Sequence, residues 1–419
     1  MGVLVLVLFF LIVFEGQAQA YIDPATGSML FSVFLGVATT LFFLLQTLYY
    51  KIGIMFTSGK LKKNTTPIVI YSEGKKYRDV FEDITDEFEK RKIPVSFLTS
   101  SEDDYVFSKN YEYVKPEFIG AGNKAFFKLA FLKADVCLMT TPGLDVFQLK
   151  RSKFVKHYSF LPHGIGDMCG YRLFSLDYFD SLLITSEINE KYIREIEQKR
   201  NLKPKEVVTV GSTQLDSMKK RVGKYSKNDD FTILFAPSWG KNSIARQLGE
   251  QLLDKLTDAN CKVVIRFHPQ SFIVEKDMVK RFHKKYDNIQ NFSFDEDIDN
   301  MKSMAASDVM ISDFSGIIQE YSFLFEKPVI YSTFGYNREI YDCCMLDEDT
   351  WRFKCLNSIG VEITKENVKD IAEIIESLKN SSKKNEINAL KSQVWQKQGQ
   401  GAVNVVDFLI QKQKEVEDK

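Results

Sequence analysis

The sequence predicts an α/β fold in which two Rossmann-like domains face a cleft and an N-terminal membrane segment precedes them. Three observations support this prediction. From residue 67 onward short β-rich runs alternate with helical stretches, a polar linker divides the alternation into two similar halves, and an uncharged apolar stretch precedes both. Alternating strands and helices are typical of parallel sheets that are covered by helices on both faces.

The first sixty residues predict a membrane anchor. An apolar run at 3–14 precedes small residues at 18–20, which is typical of a signal peptide at 1–20. Residues 28–50 carry no charge and are long enough for a membrane helix, which needs ~20 residues. A basic flank follows, formed by Lys51, Lys60, Lys62 and Lys63. By the positive-inside rule, residues 21–60 are expected to anchor the chain in the inner (cytoplasmic) membrane, with the catalytic domains facing the cytoplasm.

The two domains are predicted at 61–222 and 223–419. Strands of the first are expected at 68–71, 95–98, 136–139, 182–185 and 207–210, with helices at 77–90, 124–134 and 189–199. A polar linker at 219–230 precedes strands expected at 232–235, 263–266, 308–311 and 328–331. The tail at 387–419 is helical in composition and is expected to pack across both halves. Ligands of such sheets bind beyond the carboxyl ends of the strands, so we expect the site in the cleft.

The composition excludes one class of partner. Lys plus Arg and Asp plus Glu each number 56, so the chain lacks the positive field of a non-specific nucleic-acid binder. Its six cysteines show neither a CxxC pair nor the even spacing of a disulfide framework. That usage indicates reduced thiols in a reducing compartment.

The first candidate site residue is His163, which follows a run at 157–162 and opens a glycine-rich segment, HGIGD. Glycines at such a turn let a ligand approach the imidazole, and a histidine there is suited to general-base catalysis near neutral pH. We therefore expect His163 to be the catalytic base, with Asp167 of the same turn as the next candidate. The alternative is a capping or core histidine.

Further candidates lie in the second half. Arg266 and His268 are two residues apart after a predicted strand, so we expect them on the same side of an extended chain. They would form a cationic pair suited to phosphate oxygens, the alternative being a structural salt bridge. The turn at 238–243, which contains Trp239 and Gly240, is expected to form a wall on the phosphate side.

Small and hydroxyl residues fill the turn after the strand at 308–311. Ser312, Asp313, Ser315 and Gly316 precede a helix predicted at 317–326. Free backbone N–H groups and the positive end of the helix dipole bind phosphate at such a turn, although ordinary N-capping explains the same residues. Glu320, one turn into the helix, is expected to reach a ribose hydroxyl, the alternative being an exposed helical glutamate.

Other templates are missing from the sequence. It contains no GxxxxGK[ST] loop, and Gly164 and Gly166 do not match the spaced glycines of a dinucleotide fold. Asp297 and Asp299 resemble a metal-binding pair, but their acidic stretch at 295–299 is expected to be solvated. The sequence therefore predicts neither a bound metal nor a cofactor.

Together these residues resemble the CDP-glycerol glycerophosphotransferase family, which builds glycerol-phosphate and ribitol-phosphate chains of teichoic-acid-like polymers. The motifs are HG at 163–164, RxHP at 266–269, and SDxSG…E…KPVI from 312 through 320 to 330. The segment YIDPATGS at 21–28 is similar to a membrane-anchored branch. There are departures: family members commonly continue HG with a threonine and a lysine, which Ile165 and Asp167 do not match, and a second hydroxyl residue is frequent where Gly316 stands.

The resemblance implies a GT-B-type fold in which the first domain binds the acceptor and the second binds a CDP-alcohol. His163 would be the base, and the carried-over donor residues are Arg266, His268, Ser312, Asp313, Ser315, Gly316 and Glu320. The implied activity is transfer of glycerol phosphate, or a related polyol phosphate, to a hydroxyl of a membrane-associated, lipid-linked or polymeric glycan, with release of CMP. Two alternatives stay open: a GT-B glycosyltransferase that uses a nucleotide sugar, and an inactive membrane-tethered binding protein.

Overall fold

The computed structural model describes residues 33–41, 44–45, 66–227, 229–257, 259–297, 299–380 and 383–418. The chain forms two units, Met1–Lys62 and Lys63–Lys419. The second unit contains two parallel β-sheets, one in each half, which confirms the two α/β halves that the sequence predicts.

The first sheet has seven parallel strands in the order β3-β2-β1-β4-β5-β6-β7. In chain order they are β1 (Ile68–Ser72), β2 (Val95–Thr99), β3 (Val114–Phe118), β4 (Ala134–Met139), β5 (Val155–Phe160), β6 (Ser181–Ile184) and β7 (Glu206–Thr209). The central strands are buried along their whole length, because helices cover both faces of a parallel sheet. The strand order reverses between β1 and β4, where such sheets bind ligands.

The α-helices of the first half are α1 (Arg78–Lys90), α2 (Asn123–Leu129), α3 (Ile188–Lys199) and α4 (Thr213–Lys219), of which the first three connect strands of the sheet. Helix α1 shows why they form, since Val80, Phe81, Ile84 and Phe88 recur at helical spacing and are all buried. Carboxylates on its other face pair with basic residues, among them Asp79 with Arg221 at 2.7 Å and Asp83 with Lys220 at 2.6 Å.

The second sheet has six parallel strands in the order β10-β9-β8-β11-β12-β13, with a reversal between β8 and β11. The strands are β8 (Thr232–Phe235), β9 (Lys262–Ile265), β10 (Phe292–Phe294), β11 (Val309–Ser312), β12 (Val329–Tyr331) and β13 (Gly360–Glu362). The helices are α5 (Glu250–Asp254), α6 (Ser271–Val274), α7 (Lys276–Tyr286), α8 (Met301–Ala306), α9 (Ile317–Phe325), α10 (Trp351–Lys354), α11 (Leu356–Ile359), α12 (Ile371–Asn380), α13 (Lys384–Val394) and α14 (Gly401–Glu417).

All nine strands expected from apolar runs are present, within one or two residues at each end. Four further strands, β3, β5, β10 and β13, were not among those predicted. Strand β3 lies at the edge of its sheet and contains Lys115, Pro116 and Glu117, so its sequence lacks the apolar signal of a buried strand.

The C-terminal tail crosses between the halves, as predicted. Helix α13 packs against α9 in the second half, whereas α14 packs against α1 of the first. Asp216 fixes the crossing segment, because its carboxylate accepts hydrogen bonds from Trp395 Nε1 at 3.0 Å and from Gly399 N at 2.7 Å. Helix α14 follows the predicted domain boundary at 222/223 in the chain, yet it packs on the first sheet. The boundary itself stays a prediction.

The expected N-terminal membrane segment requires a correction. Of the stretch 28–50, the structure describes helical residues 33–41 and 44–45, and the predicted signal peptide at 1–20 and the basic flank lie outside the described residues. A membrane span needs ~20 consecutive apolar residues. In the part of the chain that the structure describes, no helix has the length and apolarity to cross a membrane. The fold class that the described residues show is therefore two parallel-sheet α/β domains.

A buried ion cluster joins the two halves of the second unit. The Arg200 guanidinium pairs with Asp177 at 2.7 Å and with Asp342, a residue of the second half. Asp342 also accepts a hydrogen bond from Phe174 N at 2.8 Å. Burial raises the pKa of Asp342, and the Arg200 guanidinium lowers it. These contacts fix the loops of both halves beside the cleft.

Candidate active site

Loops at the carboxyl ends of the two sheets meet in the cleft between the halves. Asp167, beyond β5, accepts a hydrogen bond from Thr350 Oγ1 of the second half. Gln214 Nε2, at the start of α4, donates to Glu320 Oε1 on α9 at 3.2 Å. Because ligands of parallel sheets bind at carboxyl ends near the reversal of strand order, this cleft is the candidate active site.

His163 lies just beyond β5 and is half-buried. Its Nδ1 is 3.1 Å from Oγ1 of Thr140, which follows β4. The rings of Tyr77 and Tyr171 flank the imidazole, with centroids 5.3 and 5.8 Å away. The first sheet therefore holds the imidazole in a defined orientation at the strand ends.

The electrostatic environment favours a neutral His163. Burial lowers the pKa of His163 below its usual value, and the Lys76 ammonium lowers it further. A hydrogen bond to the Thr140 backbone and the Glu73 carboxylate act in the opposite direction. When Nδ1–H donates to Thr140, Nε2 is left as the proton acceptor, which is the tautomer that a general base requires.

Asp167 belongs to the contact between the halves. It is 5% exposed, and Thr350 Oγ1 donates to its Oδ2, while Oδ1 has no hydrogen-bond partner among the described residues. Burial raises the pKa of Asp167 to about 6, and the Thr350 hydroxyl and Arg352 lower it. Its role as an alternative base stays a prediction.

Asp313 holds together the two turns that the sequence assigns to the donor. Its carboxylate is 1% exposed and accepts hydrogen bonds from Ser238 Oγ at 2.7 Å and Ile244 N at 3.0 Å. Ser238 N also donates to both carboxylate oxygens, at 3.1 and 3.2 Å. Burial raises the pKa of Asp313, and these hydrogen bonds lower it. The geometry indicates a positioning role, and direct contact with a donor stays a prediction.

The turn that Asp313 holds presents Trp239 and Gly240. Trp239 is 45% exposed, and its ring lies 6.3 Å from that of His268. Gly240 has a φ of +95°, a conformation that favours glycine, and its N–H donates to Glu275 Oε2 at 3.1 Å. The exposed Trp239 ring therefore lies beside the His268 imidazole, and their role as a wall on the phosphate side stays a prediction.

Arg266 and His268 have different surroundings. Arg266 Nη1 pairs with Asp295 at 2.7 Å, and Nη2 donates to the Asp297 carbonyl at 2.7 Å. This is the salt bridge that the sequence left open as the alternative. Strand β9 ends at Ile265, so the extended alternation behind the predicted pairing does not continue through these residues. Donor binding by Arg266 and His268 stays a prediction.

The turn after β11 has a buried and an exposed part. Ser312 Oγ donates to the Ala236 carbonyl at 2.6 Å, which ties β11 to the end of β8. Ser315 is half-buried, and Gly316 is exposed at the N-terminus of α9. The backbone N–H groups at this helix end are therefore the part of the turn that is open to an anion.

Glu320 lies on α9 in the contact between the halves, where it is half-buried instead of exposed. Burial raises the pKa of Glu320 to about 7, the hydrogen bond from Gln214 lowers it, and the Asp79 carboxylate raises it. A carboxyl group with this pKa exists in both protonation states near neutral pH.

Sequence reasoning missed Tyr77, Thr140 and Gln214, which contact His163 or Glu320. Thr140 directly follows a predicted strand, so the rule that singled out the other turns could have found it. No sequence motif marks Tyr77 or Gln214.

The acidic stretch at 295–299 is not simply solvated, contrary to expectation. Asp295 pairs with Arg266 at 2.7 Å, and Asp299 pairs with Arg221 at 2.9 Å. Each of these two carboxylates therefore forms a salt bridge with an arginine. No group of three or more His, Cys, Asp or Glu side chains within the described ranges could hold a metal ion.

The fold and the cleft define a two-domain α/β protein with a GT-B-like architecture. The fold is similar to two structures of the wall teichoic acid polymerase TagF. One, with CDPG, has a TM-score of 0.55 at 13% identity over 89% of this chain and 98% of that chain. The other has a TM-score of 0.54 at 14% identity over 90% and 98%. UDP-GlcNAc 2-epimerase from Methanocaldococcus jannaschii is also similar, with a TM-score of 0.52 at 13% identity over 82% and 99%. At these identities the likeness shows the fold alone.

The chain belongs to the CDP-Glycerol:Poly(glycerophosphate) glycerophosphotransferase family, whose model matches residues 179–409. No curated protein matches the sequence. The predicted family is therefore confirmed, and the protein is a CDP-glycerol glycerophosphotransferase-like transferase. Its place in the membrane-anchored branch stays a prediction. The predicted donor turns lie within the matched residues, whereas His163 and Asp167 precede them.

Proposed function

We propose that the protein transfers glycerol phosphate, or a related polyol phosphate, from a CDP-alcohol to a hydroxyl of a glycan or polymer and releases CMP. The family description and the TagF structure with CDPG support this choice of donor. The observation that carries the proposal is His163, a half-buried imidazole at a strand end whose pKa is lowered by burial.

The reaction begins with the acceptor hydroxyl, which gives its proton to Nε2 of His163. The hydroxyl oxygen attacks the phosphorus that carries glycerol, and a new P–O bond forms. The bond from that phosphorus to the bridging oxygen breaks on the opposite side, and the oxygen leaves with CMP. His163 needs to be neutral for the first step, which is the state that its surroundings favour.

The second half binds the donor. Negative charge builds on the phosphoryl oxygens and on the departing CMP, so fixed donors of hydrogen bonds stabilise the transition state more than the ground state. We assign to this side the exposed N-terminus of α9 at Gly316 and the neighbouring rings of Trp239 and His268. Asp313 keeps the two turns in register through Ser238 and Ile244.

The acceptor is proposed to be a lipid-linked or polymeric glycan that approaches from the first half, where His163 lies. We also place the reaction on the cytoplasmic side of the cell. All six cysteines are free thiols, which is typical of a reducing compartment, and CDP-alcohols are cytosolic nucleotides.

Product analysis with a panel of donors tests this function. The purified protein is incubated with a membrane extract as acceptor source and with CDP-glycerol, CDP-ribitol, UDP-glucose or UDP-GlcNAc. Mass spectrometry should find CMP and a phosphate-linked polyol product with a CDP-alcohol. Transfer from a UDP-sugar without CMP release would indicate a glycosyltransferase, and nucleotide binding without turnover of any donor would indicate an inactive binding protein.

A further inference from the structure

The turn after β1 lies at the point where the strand order of the first sheet reverses. It contains the 3₁₀ helix Lys75–Tyr77, whose Tyr77 N donates to the Gly74 carbonyl at 3.0 Å. Gly74 has a φ of +135°, and a Cβ there would lie 2.9 Å from Cβ of Ser101. The turn therefore requires glycine at position 74. The conformation of the turn fixes the positions of Lys76 and Tyr77.

Lys76 and His163 lie on the same aromatic ring. Nζ of Lys76 is 4.8 Å from the centroid of the Tyr77 ring, and that ring is 5.3 Å from the imidazole of His163. Nζ also lies 3.4 Å from Glu73 Oε2, with the lysine side chain 64% exposed. Such an exposed ion pair contributes little to stability. The Lys76 ammonium can therefore leave the Glu73 carboxylate and pair with a phosphate oxygen.

The charge of Lys76 reaches both halves of the site. Burial and then the Lys76 ammonium lower the pKa of His163, and the same two causes, in the same order, lower the pKa of His268. These shifts agree with the geometry in the first half, where the Tyr77 ring contacts both the Lys76 ammonium and the His163 imidazole. Because the hydroxyl that gives its proton to His163 attacks the donor phosphorus, an ammonium beside His163 is near the expected position of the diphosphate.

We propose that Lys76 is a further substrate-contacting residue, whose ammonium binds the diphosphate of the CDP-alcohol from the first half. The inference rests on the proposed function and adds a residue that no motif identifies. As the bond to CMP breaks, the ammonium neutralises charge on the oxygens opposite the turn at 312–316. Charge-assisted contacts of this kind are among the stronger hydrogen bonds in proteins.

Lys75 provides a matched control in the same turn. Its Nζ pairs with Asp103 at 2.5 Å, and both side chains are exposed, at 48% and 65%. Lys75→Met and Lys76→Met therefore remove the same charge from neighbouring positions, but only Lys76 is expected to contact the donor. Lys76→Arg keeps the charge and is expected to retain part of the affinity.

Binding of CDP to the full chain, measured by calorimetry, tests the proposal without turnover. Lys76→Met should weaken CDP binding by about tenfold or more, the loss expected for one charge-assisted hydrogen bond. Lys75→Met should bind CDP as the wild type does. Unchanged affinity in Lys76→Met, or an equal loss in both variants, would overturn the proposal.

A histidine titration by NMR gives a second readout. The protein has four histidines, and loss of one signal in His163→Gln assigns the resonance of His163. The groups that face this imidazole are Glu73, Lys76, Tyr77 and Tyr171. Removing the Lys76 ammonium should raise the pKa of His163, whereas Lys75→Met should leave it unchanged. An unaltered pKa in Lys76→Met would contradict the proposed position of the ammonium. Absence of turnover with CDP-alcohols would refute the proposed function but leave both tests of Lys76 valid.

Discussion

Replacement of Asp313 by alanine tests whether this carboxylate organises the donor side. In the native structure it accepts hydrogen bonds from Ser238 N, Ser238 Oγ and Ile244 N, and it is 1% exposed. Asp313→Ala leaves these three donors without an acceptor. At ~1–3 kcal/mol for each unsatisfied buried donor, the free energy of unfolding should fall by about 3–9 kcal/mol, or by less if water reaches the turn.

The loss of stability should be accompanied by a loss of donor affinity. Trp239 and Gly240 belong to the turn that Asp313 holds, so a loosened turn no longer presents a fixed wall to the nucleotide. Urea denaturation measures the first effect and calorimetry with CDP the second. Asp313→Asn, which keeps one oxygen acceptor and the side-chain volume, should show a smaller change in both.

Asp229→Ala is the matched control, because Asp229 is exposed in the linker. It should change the free energy of unfolding by no more than about 0.5 kcal/mol. If Asp313→Ala has the same stability and the same CDP affinity as this control, the positioning role is refuted. Normal stability with lost affinity would instead support a direct donor contact.

Two further substitutions test the contact between the halves. Arg200→Met should reduce the free energy of unfolding by ~3–5 kcal/mol, because it leaves Asp342 buried without its ion pair. Lys191→Met should cost less than ~1 kcal/mol, since Lys191 and Glu348 are exposed and 3.8 Å apart, and equal costs in urea denaturation would contradict this reasoning. Glu320→Gln should gain stability relative to the wild type as the pH rises from 4.5 to about 7, because the raised pKa makes the folded state hold a proton that the unfolded state has lost. The gain should approach ~3 kcal/mol at pH 8, and a pH-independent difference would refute the assigned pKa.

The strands were the most predictable part of the fold. Buried parallel strands need apolar side chains on both faces, so β1, β8 and β11 appear in the sequence as continuous apolar runs. Edge strand β3 carries charges, and β13 begins at Gly360, whose Cα packs so closely on Val329 that a Cβ would lie 2.0 Å from its carbonyl oxygen. Such strands are specified by their neighbours, and a local pattern does not reveal them.

The candidate site was predictable in position but not in the partners of its side chains. Residues after strand ends could be read from the sequence, because the carboxyl ends of parallel strands share one edge. Which of those side chains face a ligand depends on contacts between distant segments. Asp313 bonds to Ser238 and Ile244, and Arg266 pairs with Asp295, so both satisfy protein groups that lie far away in the chain.

The pH dependence of CMP release from CDP-glycerol tests the central claim that His163 accepts the proton of the acceptor. The wild-type rate should fall on acidification as the imidazole becomes protonated. His163→Gln should lower turnover by ~10²–10⁴-fold, with CDP affinity nearly unchanged, and its residual activity should lack the acid limb. Asp167→Asn serves as the control, because the pKa of Asp167, at about 6, would place a limb in a similar range. We predict that the limb persists in Asp167→Asn and is lost in His163→Gln, whereas near-normal turnover in His163→Gln, with the limb lost only in Asp167→Asn, would contradict the assignment of the base.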